Sequence, residues 1–359
     1  MAIAMNPPPK SIPEGVTRQV ILASRPDGEP RPEHFSVIDI PRARPLEGQV
    51  SLQTLWLSLD PYMRLRMDDR ESYAPSVKLG EPMVGAAVAS VVESRVAGLR
   101  PGDLVEARIG WQSHSVANAA DLRRLDMPVE TARQSLGVLG MTGLTAYCGL
   151  LDIGKPLSGD TVVVGAATGA VGSVVGQIAR LLGCRVVGIA GGSEKCRLAV
   201  AEYGFDACID HRSPSLPEDL AAACPDGVDI YFENIGGAVL EAVLPLLNVG
   251  ARIPLCGLIS QYNGEQSTTA HSHLSEFLLR ILERRLTVRG FIITDLAQKR
   301  PVFERDMRRW IADGLIQYRE CVTVGLEHAP AAFIRMLRGE NIGKTLVQVA
   351  PDVASSGAV

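Results

Sequence analysis

The chain has 359 residues, more than one hydrophobic core usually serves, so two domains are expected. Lys and Arg number 36 and Asp and Glu 40, and the resulting net charge of −4 leaves no basic field for nucleic acid or an anionic membrane. No apolar run reaches the roughly 18 residues that span a bilayer, and MAIAMNPPPK lacks the apolar core of a signal peptide, so a cytoplasmic protein is expected.

The first dozen residues are proline-rich and read as a loose arm. From Thr17 to about Leu125, short apolar or alternating runs (18–23, 35–40, 49–59, 84–94 and 103–107) are cut by Pro and Gly. Short strands with turn residues between them predict an antiparallel, barrel-like β domain. Pro101-Gly102 punctuates the entry to one of these strands. Around 137–151 the pattern becomes helical, small on one side and apolar on the other, and marks the entry to a second domain.

Residues 161–208 then carry a βαβ signal. The β-prone run Thr161–Val164 leads into a small-residue turn, and a helix-length segment follows with apolar Val171, Val174, Val175, Ile178, Leu181 and Leu182. A second apolar run occupies Val186–Ile189. The turn, Ala167-Thr168-Gly169-Ala170-Val171-Gly172, is a dinucleotide fingerprint with alanine in place of the first glycine. Gly169 lets the backbone approach a pyrophosphate, Gly172 and Gly176 let the helix sit close to the sheet, and the free amides of the helix start bind phosphate.

An NAD site places an acid about 20 residues further on, to hold the adenosine ribose. Here Ala190-Gly191-Gly192-Ser193-Glu194-Lys195 follows the second strand. Small residues leave room for a 2′-phosphate, Ser193 can donate to it and Lys195 supplies a cation, so NADP(H) is expected over NAD(H). The competing reading makes Lys195 a solvated residue of the next helix, with Glu194 facing a ribose hydroxyl.

Strands and helices continue to alternate: helix 194–203, strands 207–209 and 228–233, helix 238–247, strand 251–255, a long helix near 274–284, strand 287–293 and a helix near 302–313. This predicts a doubly wound sheet of about six strands. The tail from 318 to 349 reads as strand, helix (329–338) and strand. It does not extend the nucleotide fold, so it is expected to return to the first domain, with the catalytic cleft between the two. The expected boundaries are 1–140 with 315–359, and 141–314.

Seven separated segments carry a family resemblance: LDPYMR (59–64), MTGLTAYCGL (141–150), GAATGAVGSVVGQIARLLGCRVVGIAGGSEK (165–195), GVDIYFENIGG (227–237), RIPLCGLISQYN (252–263), RGFII (289–293) and GENIGKTLV (339–347). Together they resemble the zinc-independent branch of the medium-chain dehydrogenase/reductase superfamily. Within it they are most similar to the NADPH-dependent alkenal double-bond reductases, which include prostaglandin, plant double-bond and bacterial curcumin reductases. The resemblance implies an α/β chain: a Rossmann domain that binds NADP(H), a GroES-like antiparallel catalytic domain, and a homodimer pairing nucleotide domains edge to edge.

The zinc question is read from the residues. Zinc enzymes of this superfamily place Gly-His-Glu where this chain has Gly85-Ala86-Ala87, and alanine offers no lone pair to a metal. The seven cysteines (148, 184, 196, 208, 224, 256 and 321) contain no CxxC and suit reduced thiols. His271 and His273 have chelate spacing but are expected in a polar surface loop. No metal is expected, and alcohol oxidation, which needs a Lewis acid, becomes the weaker chemistry.

What remains is hydride delivery to the β-carbon of a small hydrophobic α,β-unsaturated ketone or aldehyde, the enolate oxygen being held by a tyrosine or a cofactor hydroxyl. Similarity to the family implies that Cys256, Gly257, Leu258, Ile259, Ser260, Gln261 and Tyr262 border the nicotinamide. It also implies that Tyr262 holds the enolate or relays a proton, with Tyr62 as a second candidate. The alternative for either tyrosine is a packed ring with its hydroxyl on the backbone. By motif, Gly169, Ala170, Val171 and Gly172 touch the pyrophosphate, Asn234 the ribose or nicotinamide, and Met141 and Thr145 the nicotinamide side. Phe291, Ile292 and Ile293 present backbone groups to the carboxamide, and Asn341 reaches the cofactor from the tail. His211 stands where relatives often carry tyrosine, and reads equally as a 2′-phosphate donor or a solvent-facing residue. A quinone reductase and an NADP(H)-binding protein without turnover are the alternative functions.

Overall fold

The computed structural model describes residues 12–264 and 270–351. The proline-rich arm expected at the N-terminus lies outside them but for residue 12. The chain forms two compact units, one running to Gly137 and resuming at Glu320, the other Val138–Arg319.

The second unit is built on a six-stranded sheet in the order 207–210, 185–190, 161–165, 228–232, 247–255 and 287–290, with every neighbouring pair parallel. Thr161–Gly165 is buried along its whole length, as its unbroken apolar run requires of a central parallel strand covered on both faces. Val163 lies in register with Val187 on one side and Tyr231 on the other, and these residues share a core with Ile189, Leu220, Val243 and Ile253. The glycine-rich turn leads into helix Gly172–Leu181, whose Val174, Val175 and Ile178 face the core. At Gly176 a Cβ would stand 2.0 Å from the Phe205 ring, so only glycine lets this helix lie so close to the residues entering the next strand.

The structure departs from the sequence expectations at several element ends. Leu181 and Leu182, which continue the apolar spacing of this segment, are exposed: Leu181 is the last helical residue and Leu182 its cap, where the chain turns to Gly183. The helix expected over 238–247 is Gly237–Val243. Pro245 sits in a 3₁₀ turn, Leu244–Leu246, and strand Leu247–Leu255 begins at once, with a register shift before Arg252. The strand expected to reach 293 stops at Gly290, and Ile293–Lys299 is a 3₁₀ segment. His271 and His273 fall in helix Ala270–Arg284 and not in a loop; their side chains lie outside the described residues.

The first unit has a two-stranded antiparallel sheet, Val16–Leu22 with Phe35–Pro41, and a seven-stranded sheet. The larger sheet is antiparallel around Gln49–Ser58, which pairs with Ala87–Ser94, His114–Asn118 and Lys344–Gln348. It is not wholly so: Glu320–Val324 runs parallel to Lys344–Gln348, because helix Ala329–Leu337 carries the chain back between them. The core of this unit gathers Trp111, Phe35 and Phe333, with Phe35 stacked on Trp111 and Phe333 edge-on to both. Among the described residues no single helix is long and apolar enough to cross a membrane.

Candidate active site

In the six-stranded sheet, successive strands progress one way from 161–165 through 185–190 to 207–210, and the other way from 228–232 onward. A doubly wound sheet opens a crevice at the carboxyl ends of its strands where this direction reverses. The glycine turn lies there. Ala166 has φ of +51°, Gly169 N–H donates to Ala166 O at 2.8 Å, and a Cβ on Gly172 would come within 2.3 Å of that same oxygen. Glycine at 172 therefore lets the turn close directly onto the helix start. There the amides of Ala170, Val171 and Gly172 belong to the turn that a helix leaves without intrahelical acceptors.

One strand away, the ends of Arg185–Ala190 and Ala207–Asp210 lie side by side. Asp210 Oδ1 accepts from Gly192 N–H at 2.9 Å and Arg212 N–H at 3.0 Å, which ties the two loops together and holds its carboxyl below the usual carboxylate range. Ser193 and Lys195 lie in the first turn of helix Ser193–Ala201. A Cβ on Gly191 would stand 2.9 Å from His211 Nε2 and 3.4 Å from Arg212 Nη2, so both side chains reach across this glycine. Burial first, then the charges of Arg212 and Lys195, push the His211 imidazole below its ordinary value and keep it neutral near pH 7. Lys195, His211 and Arg212 are thus neighbours, at the start of the helix that Ser193 opens. Sequence reasoning passed over Arg212, whose signal was its place immediately beyond a predicted strand end.

The turn after Val228–Phe232 is organised by Glu233, which is 0 % exposed. Its Oε1 accepts from Ile235 N–H (2.6 Å), Gly236 N–H (2.9 Å) and the Tyr231 hydroxyl (3.0 Å), while burial pushes the carboxyl above its ordinary value. Asn234 donates to Gly165 O at 2.8 Å, bracing the central strand end. Segment 256–262 is stitched to this turn: Cys256 and Gly257 donate to Glu233 O, Ile259 to Asn234 O and Ser260 to Ile235 O. At its end the Tyr262 hydroxyl accepts from Leu258 N–H at 3.4 Å, so the phenol folds back over its own segment. Gln261 and Ser260 are exposed beside it. The half-buried Cys256 thiol is pushed up to about 12 by its apolar surroundings and then by the Glu233 carboxylate.

Met141 and Thr145, one helical turn apart, are the two partly exposed positions of helix Met141–Cys148, whose other residues are buried. Phe291 packs against Gly149, with Ile292 and Ile293 partly exposed after it. In the first unit, Tyr62 opens a one-turn helix, Tyr62–Leu65, behind Pro61. Burial, and then the Asp60 carboxylate, raise its phenol above the ordinary value against the opposing charge of Arg108, so it stays protonated. Asn341 donates to Gly343 O at 2.9 Å. Among the described residues no group of three or more His, Cys, Asp or Glu is arranged to hold a metal ion.

The switch point of the parallel sheet, the glycine turn and the basic side chains at the neighbouring strand ends define a dinucleotide-binding protein of the doubly wound class. Residues 18–125 match the family model described as the N-terminal domain of oxidoreductase, and residues 170–312 the one described as zinc-binding dehydrogenase. The NADPH-dependent curcumin reductase of Escherichia coli K12 is 50 % identical over 336 residues, 93 % of this chain and 97 % of that protein. The NADP(+)-dependent 2-alkenal reductase of Nicotiana tabacum is 39 % identical over 92 % of this chain and 97 % of its own length. CurA from Vibrio vulnificus, solved in complex with NADPH, is 49 % identical with a TM-score of 0.90, covering 93 % of this chain and 99 % of its own. The chain belongs to the zinc-independent, NADPH-dependent double-bond reductase group of the medium-chain dehydrogenase/reductase superfamily.

Proposed function

We propose that this enzyme reduces the carbon–carbon double bond of small hydrophobic α,β-unsaturated ketones and aldehydes. It is an oxidoreductase acting on CH–CH donors, and its cofactor is NADP(H). The observation that carries the reading is that the carboxyl ends of the same parallel sheet carry both the basic side chains after strands 185–190 and 207–210 and the segment ending in Tyr262.

The residues fit the cofactor. The amides of Ala170–Gly172 would hold the pyrophosphate, and Lys195, Arg212, Ser193 and His211 would hold the 2′-phosphate, as point charge, fork, hydroxyl donor and ring donor. Met141, Thr145 and segment 256–261 would border the nicotinamide, Phe291–Ile293 would offer it backbone groups, and Asn341 its amide. Asn234, one of whose amide N–H groups holds Gly165 O, would offer its other N–H and its carbonyl oxygen to the ribose or nicotinamide. When bound, NADPH supplies a hydride to the electrophilic β-carbon. The Tyr262 hydroxyl accepts from Leu258 N–H and donates its own proton toward the substrate carbonyl oxygen as negative charge collects there. Tyr62, held protonated, is the second donor.

A steady-state survey with short enals, aryl enones and quinones, each run with NADPH and with NADH, tests the reading. Turnover of enals and enones well above quinones is expected. Quinone-only turnover would assign the enzyme to quinone reduction, and NADPH binding with no oxidation of it by any acceptor would make it a binding protein.

A further inference from the structure

Within the first unit, two segments given roles above, the Tyr62 turn and the Asn341 turn, are joined by a buried polar cluster with no role in the chemistry so far. Lys344 Nζ donates to the Asp60 carboxylate and to Leu59 O at 2.7 Å, and the Ser58 hydroxyl donates to the other Asp60 oxygen. The Lys344 and Asp60 side chains are 5 % and 3 % exposed. Asp60 is two residues before Tyr62, and Lys344 three after Asn341.

The cluster is not needed to pair the strands that carry it. Leu346 already lies opposite Ser58 in an antiparallel ladder, and Leu59 N–H donates to Thr345 O at 3.1 Å. Nor is it a stability device by its physics. Removing an ammonium and a carboxylate from water costs several times what an exposed pair returns, and apolar side chains of similar volume commonly hold such a place as well or better. The burial penalty is visible in Lys344, whose ammonium is pushed below its ordinary value although Asp60 opposes the shift. What a hydrogen-bonded ion pair supplies and an apolar pair does not is direction: each carboxylate oxygen and the ammonium have fixed partners at the base of the two turns.

We propose that Ser58, Asp60 and Lys344 are positioning residues that set the Tyr62 turn and the Asn341 turn in one arrangement at a net loss of stability. The functional part rests on the roles given to Tyr62 and Asn341. The cluster acts through these residues and does not itself touch the substrate.

The test compares wild type, Lys344→Met, Asp60→Leu and the double variant Asp60→Leu/Lys344→Met by three readouts: melting temperature, hydrogen exchange at the Met63 and Arg64 amides, and steady-state kinetics with an aryl enone. Each single variant leaves one buried charge unpaired and should melt well below wild type. The double variant should melt at or above wild type yet exchange faster at Met63 and Arg64. Its kcat should fall on the order of tenfold to a hundredfold, with KM for NADPH within about threefold of wild type. A double variant that melts as low as the singles makes the cluster a stability element, and one with wild-type exchange and kcat leaves it without effect; either result overturns the proposal. A wild type that reduces no enone refutes the proposed function alone, because melting and exchange still decide the role of the cluster.

Discussion

Lys195, Arg212 and His211 illustrate how three basic side chains come to unequal weight. Lysine offers a point charge and arginine a planar fork, while burial and then the Arg212 charge push the half-buried His211 imidazole below its ordinary value. The kcat/KM preference for NADPH over NADH should therefore fall roughly tenfold in Lys195→Ala and further in Lys195→Ala/Arg212→Ala, while His211→Gln changes it least. An unchanged preference in the double variant would remove these side chains from the 2′-phosphate. For Tyr262→Phe, turnover of an enone should slow on the order of a hundredfold, the scale of losing one donor to a developing oxyanion. NADPH affinity, measured by fluorescence titration, should hardly move, because the substitution removes only a hydroxyl that accepts from Leu258 N–H and leaves the cationic side chains in place. Wild-type kinetics would return Tyr262 to simple packing.

Among the elements, helix Gly172–Leu181 shows what a sequence pattern carries and where it stops. Its start was legible because a glycine turn after an apolar run has few other uses, and its inward face because Val174, Val175 and Ile178 recur at helical spacing. Leu181 and Leu182 continue that spacing yet are exposed, since periodicity says nothing of where the helix runs past its support. Gly176 fixes how closely the helix approaches, through contact with the buried ring of Phe205. Gly176→Ala should destabilise the protein by about 1–3 kcal/mol through overpacking, read as a lower denaturant midpoint. Gly176→Ala/Phe205→Leu should recover part of that loss, and strict additivity of the two changes would show that the ring is not the obstacle. The early end of helix Gly237–Val243 has an equally local cause in Pro245, but its apolar neighbours masked it.

For the whole molecule, the outstanding question is assembly. Helix Ala270–Arg284 turns Leu274, Leu278 and Leu282 outward at successive turns, 59 %, 56 % and 73 % exposed, and strand Thr287–Gly290 forms the edge of the parallel sheet. An exposed leucine stripe and an open strand edge are each features that association with a second chain removes from water. We propose a homodimer through this face. Light scattering after gel filtration should give twice the chain mass for wild type and a single chain for Leu278→Glu/Leu282→Glu, while a monomeric wild type would dismiss the dimer.

The sequence by itself determined the class of protein. Strand, glycine turn, helix and strand order the sheet through contacts between chain neighbours, and the small residues and lysine after Val186–Ile189 point to NADP(H) because turn chemistry is local. The tertiary structure alone decided which distant side chains meet. Arg212 joins Lys195 because two parallel strand ends lie side by side, Glu233 gathers amides from a turn that forms only around it, and Asp60 finds Lys344 across 284 residues. These are consequences of sheet order and register, which follow from burying every strand at once and which no single segment encodes.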